Sequence, residues 1–209
     1  MTDFAKLPLE QFLEELASSA PTPGGGTAAA VAGASGAALA EMVATLTLSK
    51  EKFAASHDAM RAIQEAAALA RLEFLRLARE DAEAYDAVVQ ARRLPKETED
   101  QKATRGQAIA LANRRATEIP MQTARLAVRL LNALPELVEK GAPGAVSDAG
   151  TAALLLEAAT VSALLNVGIN LPGVTDPDFI AQMNRDTADL NEQSLRLRSQ
   201  VVSDVRKRF

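Results

Sequence analysis

Three sets of residues in this chain could do chemistry. The first is Pro21-Thr22-Pro23-Gly24-Gly25-Gly26-Thr27, which leads straight into an uncharged helical stretch. Its glycines let bare backbone approach whatever lies alongside. Free amides at the following helix start favour an anion or a carbonyl oxygen. No Gly-Lys-Ser/Thr follows at phosphate-loop spacing, and no strand pattern precedes the run as a dinucleotide fingerprint requires. A tight helix–helix corner explains the same residues equally well. The second is Asp81, which at 3.6 residues per turn shares an inward stripe with Phe74, Ala78, Tyr85 and Val88. A carboxylate there must find a partner or hold its proton more tightly. A salt bridge to a neighbouring helix is the commoner solution. Glu80 and Glu83 beside it read as ordinary solvated charges.

The third set is Asp148, Asn166 and Asn170, all in one nearly uncharged stretch. Asp148 with Ser147 reads as a helix cap, worth about 1 kcal/mol, and the asparagines as interhelical hydrogen-bonding groups. Asp148 and Asn166 share a face but lie roughly 27 Å apart along a helix. Within one subunit they cannot both touch one reacting carbon. Lys50 closes a helix of small residues, where a cation complements the dipole. His57 reads as an exposed residue at a helix start, and a Ser-His-Asp triad built on it has no supporting motif.

Composition narrows the chemistry further. The 209 residues include no cysteine and one histidine, with 48% hydrophobic residues and 3% aromatic ones. That removes disulfides, thiolate nucleophiles and multi-histidine zinc sites, so no metal is expected. The net charge of −4 argues against a nucleic-acid footprint. The uncharged run Leu16–Ala40 is mostly alanine and glycine and ends at Glu41, which argues against a membrane span. The first residues lack the order of a signal peptide, and the expected location is the cytoplasm.

About a fifth of the chain is alanine, a strong helix former and a weak strand former. The predicted fold is all-α: a single-domain bundle over 1–209 of about six to seven helices, with buried Ala/Gly-rich central helices. The pattern predicts helices over Lys6–Ala20, Thr27–Phe53 and His57–Leu94, the last stopped by Pro95. Another starts at the capping box Thr98/Gln101 and runs toward Glu118, where Pro120 should break or bend it. Met121–Lys140 follows with Gly141 as its cap. Next come a helix from Ser147/Asp148 to Asn170, a loop over Pro172–Pro177, and a polar helix ending near Arg208.

Together these stretches resemble the formimidoyltetrahydrofolate cyclodeaminase and methenyltetrahydrofolate cyclohydrolase family. The resemblance covers nearly the whole chain. It rests on PTPGGGTAAA at Pro21–Ala30, EDAEAY at Glu80–Tyr85, LPK at Leu94–Lys96, SDAGTA at Ser147–Ala152 and LNVGINL at Leu165–Leu171. Five motifs in order are far more specific than any one. The chain departs from the family at Ala142 and Gly144, where asparagines are frequent, and at Ser49, where glycine is.

The resemblance implies an all-helical, dimeric, cytoplasmic enzyme acting on a reduced folate, polyglutamylated or not. It implies cyclodeamination of 5-formimidoyltetrahydrofolate to the 5,10-methenyl compound and ammonia. The alternatives are cyclohydrolysis of the methenyl compound to 10-formyltetrahydrofolate, or a helical folate-binding module without activity. Both reactions pass through a tetrahedral carbon bridging two folate nitrogens and need positioning plus proton transfer, with no cofactor beyond the folate itself. By carry-over, Lys50, Asp81 and Asp148 are the catalytic candidates. Pro23, Gly24, Gly25, Gly26, Thr27, Lys96, Ser147, Asn166 and Asn170 are the substrate-binding ones. Two long apolar helices in one small chain leave an apolar surface, so a homodimer is expected, with Gly33, Ala37 and Ala40 permitting close pairing across a two-fold axis.

Overall fold

A computed structural model describes residues 4–208. A short 3₁₀ turn at Phe4–Lys6 precedes seven α-helices: α1 (Leu9–Leu16), α2 (Gly25–Leu48), α3 (His57–Arg92), α4 (Glu99–Leu131), α5 (Leu134–Lys140), α6 (Val146–Asn170) and α7 (Pro177–Arg206). The described residues contain no strand, and the all-α expectation holds. Helix α2 packs between α3 and α6, and α4 bridges α3 and α6 on the far side, so these four form the central bundle. Helix α7 lies on the outside of α6.

The close packing around α2 has a simple basis. A Cβ on Gly33 would stand 2.6 Å from the Phe74 ring, and one on Gly36 would stand 2.9 Å from Leu156. Glycine at these positions lets α3 and α6 approach the α2 backbone. Ala37 and Ala40 have no exposed surface. Gly33, Ala37 and Ala40 are therefore consumed inside the subunit and are not available to pair α2 with a second copy, contrary to expectation. The long apolar helices α2 and α6 have the length and hydropathy to cross a membrane by that test alone. Here the inner faces of both form the bundle core. The outer face of α6 differs, with Leu154, Leu165 and Ile169 exposed.

Several boundaries move. Helix α1 is only eight residues, with no basic residue in its last turn; Glu14 and Glu15 there oppose the dipole. Helix α2 ends at Leu48, Lys50 is extended, and a 3₁₀ segment carries Glu51–Ser56 into α3. The capping box at α4 forms as expected: Thr98 Oγ1 accepts from the Gln101 amide, and Gln101 Oε1 accepts from the Thr98 amide. Pro120 does not end α4, which runs through it to Leu131. Ser147 and Asp148 do not cap α6, because they already lie in its first turn after Ala145. Asp148 still complements the helix dipole there.

Candidate active site

A cavity of about 240 Å³ opens where the N-terminus of α2 meets α3, α4 and the C-terminal end of α6. Its walls include Gly24, Gly25 and Gly26 from the loop, Asp81 and Tyr85 from α3, and Asn166 and Asn170 from α6. Residues from three separated sequence motifs thus converge on one space. The antiparallel run of α2 and α6 explains why: the start of one is level with the end of the other.

Asp81 is the carboxylate of this site. Its partner is not a cation but Thr27, whose hydroxyl donates to Asp81 Oδ2 at 2.9 Å. The expected salt bridge is therefore replaced by a neutral anchor. Burial pushes the Asp81 carboxyl above the ordinary carboxylate range, while the Thr27 hydroxyl and backbone amide pull it back part of the way. Gly26 makes this approach possible, since a Cβ there would lie 2.2 Å from Asp81 Oδ1. The carboxylate thus rests on the first turn of α2, where the dipole and the Thr27 amide favour negative charge. Glu80 next to it is no solvated charge: it pairs with both Arg76 and Arg115 and ties α3 to α4.

The two asparagines are held by their amide nitrogens. Asn166 Nδ2 donates to the Ser162 carbonyl at 2.9 Å, one turn back in α6. Asn170 Nδ2 donates to the Ala116 carbonyl of α4 at 2.7 Å. Ala116 is four residues before Pro120, and proline has no N–H to give that carbonyl. The proline inside α4 thus leaves an acceptor that Asn170 takes up. Nothing in the local pattern around Pro120 announces this, because the partner comes from another helix.

The remaining sequence candidates divide. Gly24, Gly25, Gly26, Asp81, Asn166 and Asn170 meet at the cavity. Thr27 is fully buried and reaches the site only through Asp81, so it orients a side chain instead of touching a ligand. Pro23 is buried behind the loop and its bond to Thr22 is cis. Lys96 is exposed in the connection between α3 and α4. Lys50, Ser147 and Asp148 lie at the opposite end of the bundle. There the Ala142 amide donates to Thr47 Oγ1 at 2.8 Å, joining the end of α2 to the approach to α6. The 24 residues of α2 set the two ends about 36 Å apart. His57 also sits at that far end, with Nε2 3.4 Å from the Lys50 carbonyl. Tyr85, expected on the buried stripe, is 42% exposed and lines the cavity. Its spacing of one turn from Asp81 is the signal that places it there.

A family model described as formiminotransferase-cyclodeaminase matches residues 8–189. A methenyltetrahydrofolate cyclohydrolase from Methylorubrum extorquens is 36% identical over 200 residues, covering 96% of each chain. A formimidoyltransferase-cyclodeaminase from Sus scrofa is 35% identical over 90% of this chain, which spans only 35% of that longer protein. The crystal structure of a formiminotetrahydrofolate cyclodeaminase from Thermotoga maritima superimposes with a TM-score of 0.86 at 32% identity, over 97% of both chains.

Proposed function

The chain belongs to the formiminotransferase-cyclodeaminase family of folate one-carbon enzymes, and from that premise we propose that it is a formimidoyltetrahydrofolate cyclodeaminase. The observation that carries this reading is the convergence of the glycine loop, Asp81 and the α6 asparagines on one cavity. The space suits the reacting end of a reduced folate, while the rest of the ligand extends past Tyr85 and Ile169. Ring closure requires the aryl-side nitrogen to attack the formimidoyl carbon and lose its proton, and the amine to gain one before leaving. A single carboxyl with a raised proton affinity can do both, accepting from one nitrogen and returning to the other. Asp81 is the group suited to that task.

The active form in this proposal is a homodimer. Support comes from the exposed stripe on α6, where Leu154 and Leu165 stand well out of the core and Ile169, at 77% exposure, borders the cavity itself. A two-fold axis across that stripe makes the two α6 helices antiparallel. With the axis near Ala158, the partner subunit's Asp148 comes level with Gly168, beside the cavity. The partner's Lys50 then arrives at the same end. The candidates separated along one subunit would be reunited across two, with Lys50 and Asp148 supplying charge to the folate held by Asp81. The expected cytoplasmic location belongs to the same proposal.

A second reading, methenyltetrahydrofolate cyclohydrolase, is favoured by the name of the Methylorubrum extorquens relative, which matches over 96% of its length. The same groups would then activate water for attack on the methenyl carbon. Following the methenyl absorbance decides between them. A rise with the formimidoyl substrate supports the cyclodeaminase, and decay of supplied methenyl compound without it supports the cyclohydrolase. No change in either direction overturns both and leaves a folate-binding module.

A further inference from the structure

Resting on the folate reading, we propose that Asp81, Asn166 and Asn170 form a three-acceptor pocket for an R–NH₃⁺ group, the departing amine of the tetrahedral intermediate. The argument begins with the asparagines. A backbone carbonyl can only accept, so the atoms facing Ser162 and Ala116 must be the amide nitrogens. Each side chain then keeps its Oδ1 as an acceptor. The orientation of Asn170 is further secured by Pro120, which leaves the Ala116 carbonyl without its usual donor in the helix.

Asp81 is arranged alike. Thr27 engages the carboxylate twice, with its hydroxyl on Oδ2 and through its backbone amide, and of the roughly four lone-pair sites of a carboxylate about two remain to accept. Asp81 Oδ1 lies 2.2 Å from where a Gly26 Cβ would stand, and the Asn166 amide stands over Gly25, with Nδ2 at 3.3 Å and Oδ1 at 3.6 Å from the corresponding point. Two acceptors therefore stand over consecutive residues of one helical turn, with Asn170 one turn beyond Asn166 on the same cavity wall. Water can donate two hydrogen bonds, whereas a protonated amine on carbon donates three. Three acceptors, one of them a carboxylate, match the amine. The full charge on Asp81 outweighs the partial positive charge at the start of α2.

The chemistry balances. After ring closure the central carbon is bonded to two ring nitrogens, hydrogen and the amine. The formimidoyl nitrogen enters protonated, so ring closure leaves it as a neutral amine. The proton lost by the attacking nitrogen then makes it R–NH₃⁺, the carbon–nitrogen bond breaks, and its electron pair leaves with ammonia. The remaining carbon shares the positive charge with the ring nitrogens as the methenyl cation.

Methylammonium chloride is the probe, since CH₃–NH₃⁺ carries a carbon and three N–H donors, and tetramethylammonium chloride is the control of equal charge with none. Methylammonium in excess is expected to raise the thermal midpoint of the free protein above that seen with the control at equal ionic strength. Asn166→Ser and Asn170→Ser should each weaken that effect at least tenfold in concentration. Asn166→Ser is the safer variant, because a serine hydroxyl can also donate to the Ser162 carbonyl. Equal midpoints in the two salts for the parent protein overturn the proposal, as does a methylammonium effect that persists undiminished in both variants. The methenyl absorbance assay is independent: a protein that binds methylammonium but converts no folate retains the cation pocket and loses the folate reading. One that converts folate without distinguishing the salts does the reverse.

Discussion

Replacing Gly26 by alanine should be far more damaging than the same change one or two residues earlier. An ideal Cβ on Gly26 would stand 2.2 Å from Asp81 Oδ1 and 2.7 Å from both Cγ and Oδ2. Ordinary contact begins near 3.4 Å, so the carboxylate must retreat by about 1.2 Å. That retreat stretches the 2.9 Å bond from Thr27 toward 4 Å and ends it. Losing a hydrogen bond to a charged group costs about 1.5–3 kcal/mol, against which alanine's better helix propensity returns up to about 1 kcal/mol. The net loss should be roughly 1–2 kcal/mol in a urea titration, with kcat/KM for folate conversion down about 100-fold because a catalytic group has shifted by about 1 Å. Gly25→Ala brings its Cβ only to 3.3 Å from Asn166 Nδ2, at the end of a side chain that can give. Gly24→Ala meets nothing closer than the Pro21 carbonyl at 3.9 Å. The expected order of damage is Gly26, then Gly25, then Gly24. Equal losses at all three would refute the reasoning, because they would show that the glycines serve the approach of the ligand and not the seat of Asp81.

Asp81→Asn should abolish turnover yet make the protein more stable at neutral pH. Burial raises the folded carboxyl above its value of 3.8, so the proton's contribution to stability is full below that value and is lost as pH rises through the raised one. Above it the parent carries the cost of a buried charge, which asparagine does not. A gain on the order of 1 kcal/mol at pH 7–8, shrinking as the solution is acidified, is the expected result of urea unfolding across pH; a less stable variant at pH 8 would mean that the Thr27 anchor outweighs burial. The proposal of a site shared between two subunits predicts complementation. If Asp81→Asn and Lys50→Met are each inactive, a co-refolded mixture should recover roughly a quarter of parental activity, since half of the dimers are mixed and each has one intact site. No recovery, with mixed dimers present, would place Lys50 outside the site.

What could be read from the sequence was the part governed by local rules. The Thr98/Gln101 box, the stop at Pro95 and the cap at Gly141 each depend on residues a few positions apart, and each forms. The inward stripe of α3 correctly turned Asp81 toward other helices. Its partner was not legible, because Thr27 lies 54 residues away and is neutral. Only contact with Gly26 reveals why no cation is needed. Pro120 failed the local rule for a related reason. In isolation a mid-helix proline costs about 3 kcal/mol. In α4, however, it is buried, the helix continues through it to Leu131, and the carbonyl it leaves without a donor is bonded by Asn170. At Asp81 and at Pro120, tertiary partners overrode the local expectation.

The separation of the candidates follows from helix arithmetic once the pairing of α2 with α6 is known. The glycine loop and Lys50 flank the two ends of α2, and Asp148 and Asn170 mark the two ends of α6. Antiparallel packing must then place Gly25 with Asn166 and must place Lys50 with Asp148, leaving about 36 Å between the groups. No loop movement closes a gap set by two rigid, close-packed helices. If both groups serve one folate, the only economical solution is symmetry: a two-fold axis across α6 exchanges its ends and so delivers the far group of each subunit to the near group of the other. The same axis would cover Leu154, Leu165 and Ile169, which no part of the subunit covers. On that proposal the exposed stripe and the separation of the candidates would share one cause, a pair of long apolar helices too many-sided for a single small bundle to enclose.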